Sequence, residues 1–247
     1  MLYYNHIKLS DHQDEYFSDH YLQVREKEGR LYTDQQVAVL PEIEPSHAHY
    51  KEWQIRRQST GKLYQYLLKK GADLHILEVG CGNGWLSHML SKLPGCKVVG
   101  IDINKHELSQ AQRVFGDAAN LSFMLARLGQ LQSAKDSFDI ILFASSIQYL
   151  SSIHDVIRKS LSLLKPAGEI HIIDSHFYKE EELAEARHRS QLYYLEMECK
   201  EMANYYYHHQ LNDLKAFKPR ILSKPNAFKK WIGLNQSPFY WIQIDKS

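Results

Sequence analysis

The sequence predicts an α/β fold, a three-layer doubly wound sheet with helices on both faces. Three observations carry that expectation. Short apolar runs alternate with helix-periodic segments over residues 74–174. The first apolar run empties into a turn with glycine at every second position, Gly80, Gly82 and Gly84, and a helical pattern follows. The second apolar run ends on an acid, Asp102. Alternating strands and helices pair in parallel through right-handed crossovers, and such sheets bind ligands where the strands end.

Residues 1–45 are polar, tyrosine-rich and only weakly periodic, and the acidic stretch 11–19 reads as solvated. The apolar run 37–40 stops at Pro41. Pro45 and Ser46 then mark a helix start, and 47–70 reads as helical, with Tyr50, Trp53, Arg57, Tyr64, Leu67 and Leu68 near one face. Strands are expected at 74–79, 97–102, 121–125, 138–143 and 169–174. Trp85, Leu86, Met89, Leu90 and Leu93 give the first crossover helix its spacing of three and four; further helices are expected at 105–115 and 153–164. Residues 165–168, Lys-Pro-Ala-Gly, stop the last of these. A long polar helical stretch, 179–207, exceeds what a crossover needs and reads as an insertion lining the site. Runs at 219–223 and 239–245 fit a closing hairpin.

The chain has 247 residues, 44% of them hydrophobic, enough for one large domain or one domain with a lid. Charged residues make up 24% and the formal net charge is +1, which gives no general electrostatic case for nucleic acid or a membrane surface. No apolar run approaches membrane-spanning length. The three cysteines, one of them Cys81 inside the glycine turn, form no disulfide framework on this count, so a reducing cytoplasm is expected.

The chemistry concentrates in the turn. Bare backbone lets a ligand come close, and the first turn of the helix offers unpaired N–H groups. The spacing G-x-G-x-G differs from the G-x-G-x-x-G that holds a pyrophosphate. Glu78, two residues ahead of Gly80, would repel phosphate and suits a cationic amino group. Asp102, 22 positions beyond Gly80, stands where a nucleotide-binding unit places its acceptor for two ribose hydroxyls.

The run from Glu78 to Gly84, read with Asp102, resembles the first motifs of the class I (Rossmann-like) S-adenosylmethionine-dependent methyltransferases, of the ubiquinone, menaquinone or small-molecule kind. The resemblance extends over about residues 74–173. It implies a seven-stranded sheet of order 3-2-1-4-5-7-6 whose last strand is antiparallel, with an N-terminal helical cap. It implies S-adenosylmethionine as cofactor and S-adenosylhomocysteine as product. Glu78, Gly80, Cys81 and Gly82 are then expected at the methionine end and Asp102 at the ribose. Ile103 and the backbone near Leu128 are expected at the adenine, and Ser145 at the edge of the sulfonium. Residues 1–70 become the cap, with Tyr50, Trp53, Arg56 and Arg57 as its contributors and Arg57 assigned to the cofactor carboxylate. Residues 71–247 become the binding domain, with its insertion at about 178–210. Two positions depart from the pattern: Arg127 replaces an acid and is read as pointing to solvent, and Ala167 replaces a glycine as a tolerated turn change.

The acceptor side is less legible. His176 and Tyr149 are the candidate catalytic residues, with Gln148 also facing the substrate, His208 and His209 as other possible bases, and Asp174 as a group to orient His176. His171, His176, His208 and His209 match no metal-ligand spacing, so no metal is expected. Lys215, Lys218, Arg220, Lys224, Lys229 and Lys230 read as a solvated edge, with RNA or an acidic substrate as the alternative. The expected activity is methyl transfer to a small-molecule acceptor. An RNA or protein methyltransferase and a catalytically silent cofactor-binding module stay open, as does a monomer or a homodimer.

Overall fold

The computed structural model describes residues 12–225 and 237–246. The chain start and the expectations at Lys229 and Lys230 lie outside them. Among the described residues seven strands make one sheet: β1 (His75–Val79), β2 (Lys97–Asp102), β3 (Leu121–Leu125), β4 (Phe138–Ala144), β5 (Leu164–Ser175), β6 (Arg220–Ser223) and β7 (Tyr240–Asp245). Their spatial order is β3-β2-β1-β4-β5-β7-β6. The first five pair in parallel and β7 runs antiparallel to both β5 and β6.

The apolar runs form strands because both faces of the sheet are covered, so consecutive residues can all be apolar. Ile76, Ile140 and Leu142 are fully buried in one core, while their neighbours Leu77, Ile141 and Phe143 are fully buried in the other. Helices α3 (Tyr50–Lys70), α4 (Trp85–Ser91) and α5 (Lys105–Phe115) contribute to the first core, as does the short α2 (Asp34–Val39). Helix α6 (Ile153–Leu163) covers the second face. The three layers expected from sequence are present.

The N-terminal helical region implied by the resemblance is present, but the extent of its first helix, α1 (His12–Lys27), was not read from the sequence. Its inward side is Phe17, Tyr21 and Val24, spaced four and three apart, too few apolar residues to stand out. Those side chains do not join the sheet's cores. They make a third, aromatic cluster with Tyr194 of α7 (Leu183–Glu196) and with Cys199 and Met202 beyond it. The insertion is thus a helix of 14 residues, a break at Glu198 with φ +48°, and a 3₁₀ segment over Lys200–Tyr205.

Strand β5 starts five residues earlier than expected and carries a register shift against β4 between Phe138 and Ile140. Ala167 adopts φ +59° there, a left-handed conformation that costs an L-residue roughly 1–2 kcal/mol. Ala167→Gly should therefore stabilise the fold by about 0.5 kcal/mol once the extra freedom of glycine in the unfolded chain is subtracted. Differential scanning calorimetry should read a rise of about 1–2 °C in Tm. An unchanged or lower Tm counts against strain at this turn.

Candidate active site

The carboxyl ends of β1, β2 and β4 open onto two abutting cavities, about 660 Å³ and about 230 Å³. Gly80, Gly82, Glu107, Ser145, Tyr21 and Tyr149 line both. The larger also touches Asp102, Ile103 and Leu128, and the smaller touches Glu78, Cys81 and His176. Of the nine residues assigned from sequence to the cofactor and the two named as catalytic candidates, all but one therefore line these two cavities.

Arg57 is the exception. It points away and pairs with Glu42, Nε to Oε1 at 2.8 Å, with its side chain half exposed. Its neighbour Arg56 lines the smaller cavity and donates from Nη1 to Ser145 Oγ at 2.9 Å. Glu52 braces that guanidinium: Arg56 Nη2 reaches Glu52 Oε1 at 3.0 Å, and Arg30 Nη2 reaches Glu52 Oε2 at 2.5 Å. Burial works against ionisation of Glu52, yet the two arginines hold its carboxyl down to about 2.

The glycine turn has left-handed backbone at all three glycines. Its geometry shows what the sequence reading missed: packing, before any ligand, requires bare backbone here. A Cβ on Gly80 would lie 2.5 Å from Ser146 Cβ. Ser146 in turn donates from Oγ to Val79 O at 2.6 Å, which locks the end of β4 to the end of β1.

Asp102 is fixed from two sides. Its Oδ2 accepts from Gly82 N at 2.8 Å and its Oδ1 from Asn104 N at 2.8 Å. Helix α5 is capped by Asn104, whose Oδ1 accepts from the N–H groups of His106 and Glu107. This leaves Asn104 Nδ2 buried with no hydrogen-bond partner beside the larger cavity. Glu78 is 2% exposed and accepts from Ser87 Oγ at 2.5 Å. Burial lifts its carboxyl to about 8, and the Asp102 charge adds to the lift against the Ser87 hydrogen bond.

Glu107 is the site residue that sequence reasoning missed. An acid in the first turn of a helix ordinarily serves the helix dipole. This one turns back, so that its Oε2 would meet a Cβ on Gly82 at 3.3 Å. Burial raises its pKa, as does the charge on Asp102, while Arg25 lowers it. Glu78, Asp102 and Glu107 thus converge on a single turn with little solvent. A ligand carrying positive charge and hydroxyl donors relieves that arrangement, and a phosphate does not.

On the opposite wall, Arg127 does not point to solvent. Its Nε and Nη2 grip Asp14 at 2.6 and 2.5 Å, tying α1 across the cleft. Tyr149 is half-buried; desolvation raises its phenol pKa, and its ring packs edge-on against Phe17 and Tyr21. His176 packs on Phe239 at 4.6 Å, and burial lowers its pKa. Asp174 does not orient it; its Oδ2 accepts from Ser59 Oγ at 2.8 Å. His209 binds the carbonyl of Ile147 through Nε2 at 3.1 Å, and burial lowers its pKa. Among the described residues no group of three His, Cys, Asp or Glu side chains could hold a metal ion.

A family model described as a methyltransferase domain matches residues 70–232. O-methyltransferase resE from Aspergillus sclerotiorum is 24% identical over 158 residues, covering 59% of this chain and 60% of that protein. The ubiquinone biosynthesis O-methyltransferase of Nitrosococcus oceani is 33% identical over 101 residues, covering 40% of this chain and 42% of that protein. The chain spans about half the length of the curated relatives it matches. The magnesium protoporphyrin IX methyltransferase of Synechocystis, solved with bound S-adenosylhomocysteine, shares the fold. Its TM-score is 0.60 at 16% identity, over 95% of this chain and 98% of that one.

Proposed function

This chain belongs to the methyltransferase-domain family, and we propose that it moves a methyl group from S-adenosylmethionine to a small-molecule acceptor. The observation that carries the reading is the pair of acids on one glycine turn. Asp102 is held rigid by two backbone N–H groups at the floor of the larger cavity. Glu78 is buried on the other side of the same turn. The residues fit the cofactor: Asp102 and the unpartnered amide of Asn104 suit the ribose, and the buried carboxyl of Glu78, whose ionisation a neighbouring cation would favour, suits the ammonium group. Ile103 and Leu128 supply an apolar slot for the adenine, and Arg56 replaces Arg57 as the partner of the cofactor carboxylate.

The bound cofactor supplies an already activated methyl group. The protein's part is to align the acceptor with it and keep water out. Helix α1 supports a role as cap, since Phe17 and Tyr21 lie over the cavities and Asp14 is latched by Arg127. The smaller cavity, about 230 Å³, is of a size that suits a small molecule. Of the basic run, Arg220 is already engaged by Asp245 and Gln243. The three buried, unpaired cysteines support a reducing, cytoplasmic setting. No helix among the described residues is long and apolar enough to cross a membrane.

Titration calorimetry tests the reading. S-Adenosylhomocysteine should bind the wild-type protein, and NAD should not. Arg56→Ala should weaken S-adenosylhomocysteine about tenfold or more, the loss of one charge-assisted hydrogen bond. The same variant should leave 5′-methylthioadenosine, which lacks the carboxylate, unchanged. Arg57→Ala should change neither. Equal losses for both ligands in Arg56→Ala would remove the carboxylate assignment.

A further inference from the structure

Strands β4 and β5 lie side by side, and each has a non-glycine residue in the left-handed region at its carboxyl end: Ser145, just past β4, at φ +53° and Asp174, next to last in β5, at φ +53°. Both face the smaller cavity. Backbone strain of this kind persists only where the surroundings enforce it, and it concentrates at functional sites. Here the surroundings are visible. Ser145 Oγ donates to the carbonyl of Asp174 at 2.9 Å and accepts from Arg56 Nη1 at 2.9 Å. Ser59 Oγ, from α3, donates to Asp174 Oδ2 at 2.8 Å.

The second carboxylate oxygen, Oδ1, is buried and has no hydrogen-bond partner. The residue is only 5% exposed. Buried carboxylate oxygens in native proteins are almost always satisfied, and an exception calls for an explanation. No structural task accounts for this one, because Oδ2 alone makes the tie to α3.

We propose that Asp174 is the catalytic base of the reaction and that the acceptor is a hydroxyl compound that keeps its proton until attack. This rests on the methyltransferase reading above. A carbon or thioether acceptor brings no donor to fill Oδ1. An amine arrives largely protonated at neutral pH and must shed that proton before it has a lone pair to use. A hydroxyl satisfies Oδ1 with one hydrogen bond and has one proton to give. A lone pair on the acceptor oxygen forms the new bond to the methyl carbon. The carbon–sulfur bond breaks with its electrons left on sulfur as a neutral thioether, and the hydroxyl proton passes to Asp174 Oδ1.

The charged and titratable groups facing Asp174 are Arg56 and Glu52 from α3 and His176 from the segment after β5. Burial pushes the Asp174 carboxyl up to about 6, against the Arg56 charge and the Ser59 hydrogen bond, with Glu52 adding to the rise. The group is therefore ionised at neutral pH yet basic enough to take a proton, which is where a general base works best. His176, the base expected from sequence, has an aromatic environment and no hydrogen bond to Asp174.

The test uses Asp174→Asn, which keeps the side-chain shape and an oxygen for Ser59. Calorimetry with S-adenosylhomocysteine should give an affinity within about threefold of wild type, because the group serves the acceptor. Infrared difference titration of the complex should show a carboxyl that protonates near pH 6 in the wild type and is absent from the variant. Transfer of labelled methyl from S-adenosylmethionine to catechol, a hydroxyl probe that keeps its proton at neutral pH, should fall by about 100-fold or more in kcat with the cofactor KM unchanged. The fall in rate below pH 6 should vanish with it, and Asp174→Glu should recover part of the rate. A loss of S-adenosylhomocysteine affinity beyond tenfold would make Asp174 a cofactor ligand and overturn the proposal. So would a wild-type carboxyl ionised throughout, or an Asp174→Asn variant at full rate. A wild-type protein that binds no S-adenosylhomocysteine overturns the methyltransferase reading and the base with it; an active variant overturns the base alone.

Discussion

Replacing Asp102 by alanine is expected to lower the affinity for S-adenosylhomocysteine by about 100-fold or more. Each hydrogen bond to a charged group is worth roughly 1.5–3 kcal/mol, and in the proposed reading the carboxylate takes two hydroxyls of a ribose. Two lost at the lower bound already total about 3 kcal/mol, a little over two decades in Kd. The side chain cannot be replaced from elsewhere, because its direction is set by Gly82 N and Asn104 N at 2.8 Å each. Those two N–H groups lose their acceptor in the variant, so the fold should also weaken by roughly 1–3 kcal/mol. Asparagine is no rescue: one of its two terminal positions donates, and here both neighbours are donors. Calorimetry with two ligands separates this residue from Arg56. Asp102→Ala should weaken S-adenosylhomocysteine and 5′-methylthioadenosine alike, because both carry the ribose. Binding within threefold of wild type for either ligand would take Asp102 out of the cofactor site.

How much of this was legible in the sequence differs between the sheet and the cap, for a physical reason. A parallel strand covered on both faces must be apolar throughout, so runs such as 138–143 announce themselves. The sheet order and the antiparallel β7 followed from the resemblance and are present. Helix α1 answers to a different partner. It buries Phe17, Tyr21 and Val24 against tyrosines of the insertion, a surface that does not exist until the chain has folded. Nothing in residues 12–27 specifies it alone.

Arg56 and Arg57 show the same limit at the scale of one helix turn. The face read from sequence was that of Tyr50, Trp53, Arg57, Tyr64, Leu67 and Leu68. The residues of α3 that are buried are Trp53, Thr60, Leu63 and Leu67. At about 100° per residue the second set is rotated by roughly 60° from the first, enough to bring Arg56 to the cleft and carry Arg57 out of it. Tyr50, Tyr64 and Leu68 pulled the reading toward the edge, and Leu68 is 43% exposed. A small polar residue at the true centre, Thr60, was the available signal. Glu107 was hidden differently: its position in the first turn has a ready explanation in helix electrostatics, and only the tertiary contact with Gly82 shows otherwise.

The largest loss of stability is expected from Gly84→Ala, where the organising turn becomes α4. Gly84 has φ +76°, so an alanine there bears the left-handed penalty of roughly 1–2 kcal/mol. Its Cβ would also stand 2.6 Å from two atoms of the Phe123 ring and 2.8 Å from Ala111 Cβ. Neither neighbour can yield, since Phe123 is 5% exposed inside the first core and Ala111 is fully buried on α5. The start of α4 must move off β3 and α5, and overpacking of this kind costs roughly 1–3 kcal/mol more. The sum, roughly 2–5 kcal/mol, is a large part of the 5–15 kcal/mol that holds an ordinary domain folded. Calorimetry should show Tm lower by roughly 10 °C. Gly61→Ala is the internal control. Gly61 lies inside α3 with nothing within 4 Å of its Cβ position, so alanine there should stabilise by about 0.5–1 kcal/mol. The same chemical change should thus move Tm in opposite directions at the two sites. If both variants melt with the wild type, the turn is not packed as described, and the glycines have no role beyond giving a ligand room.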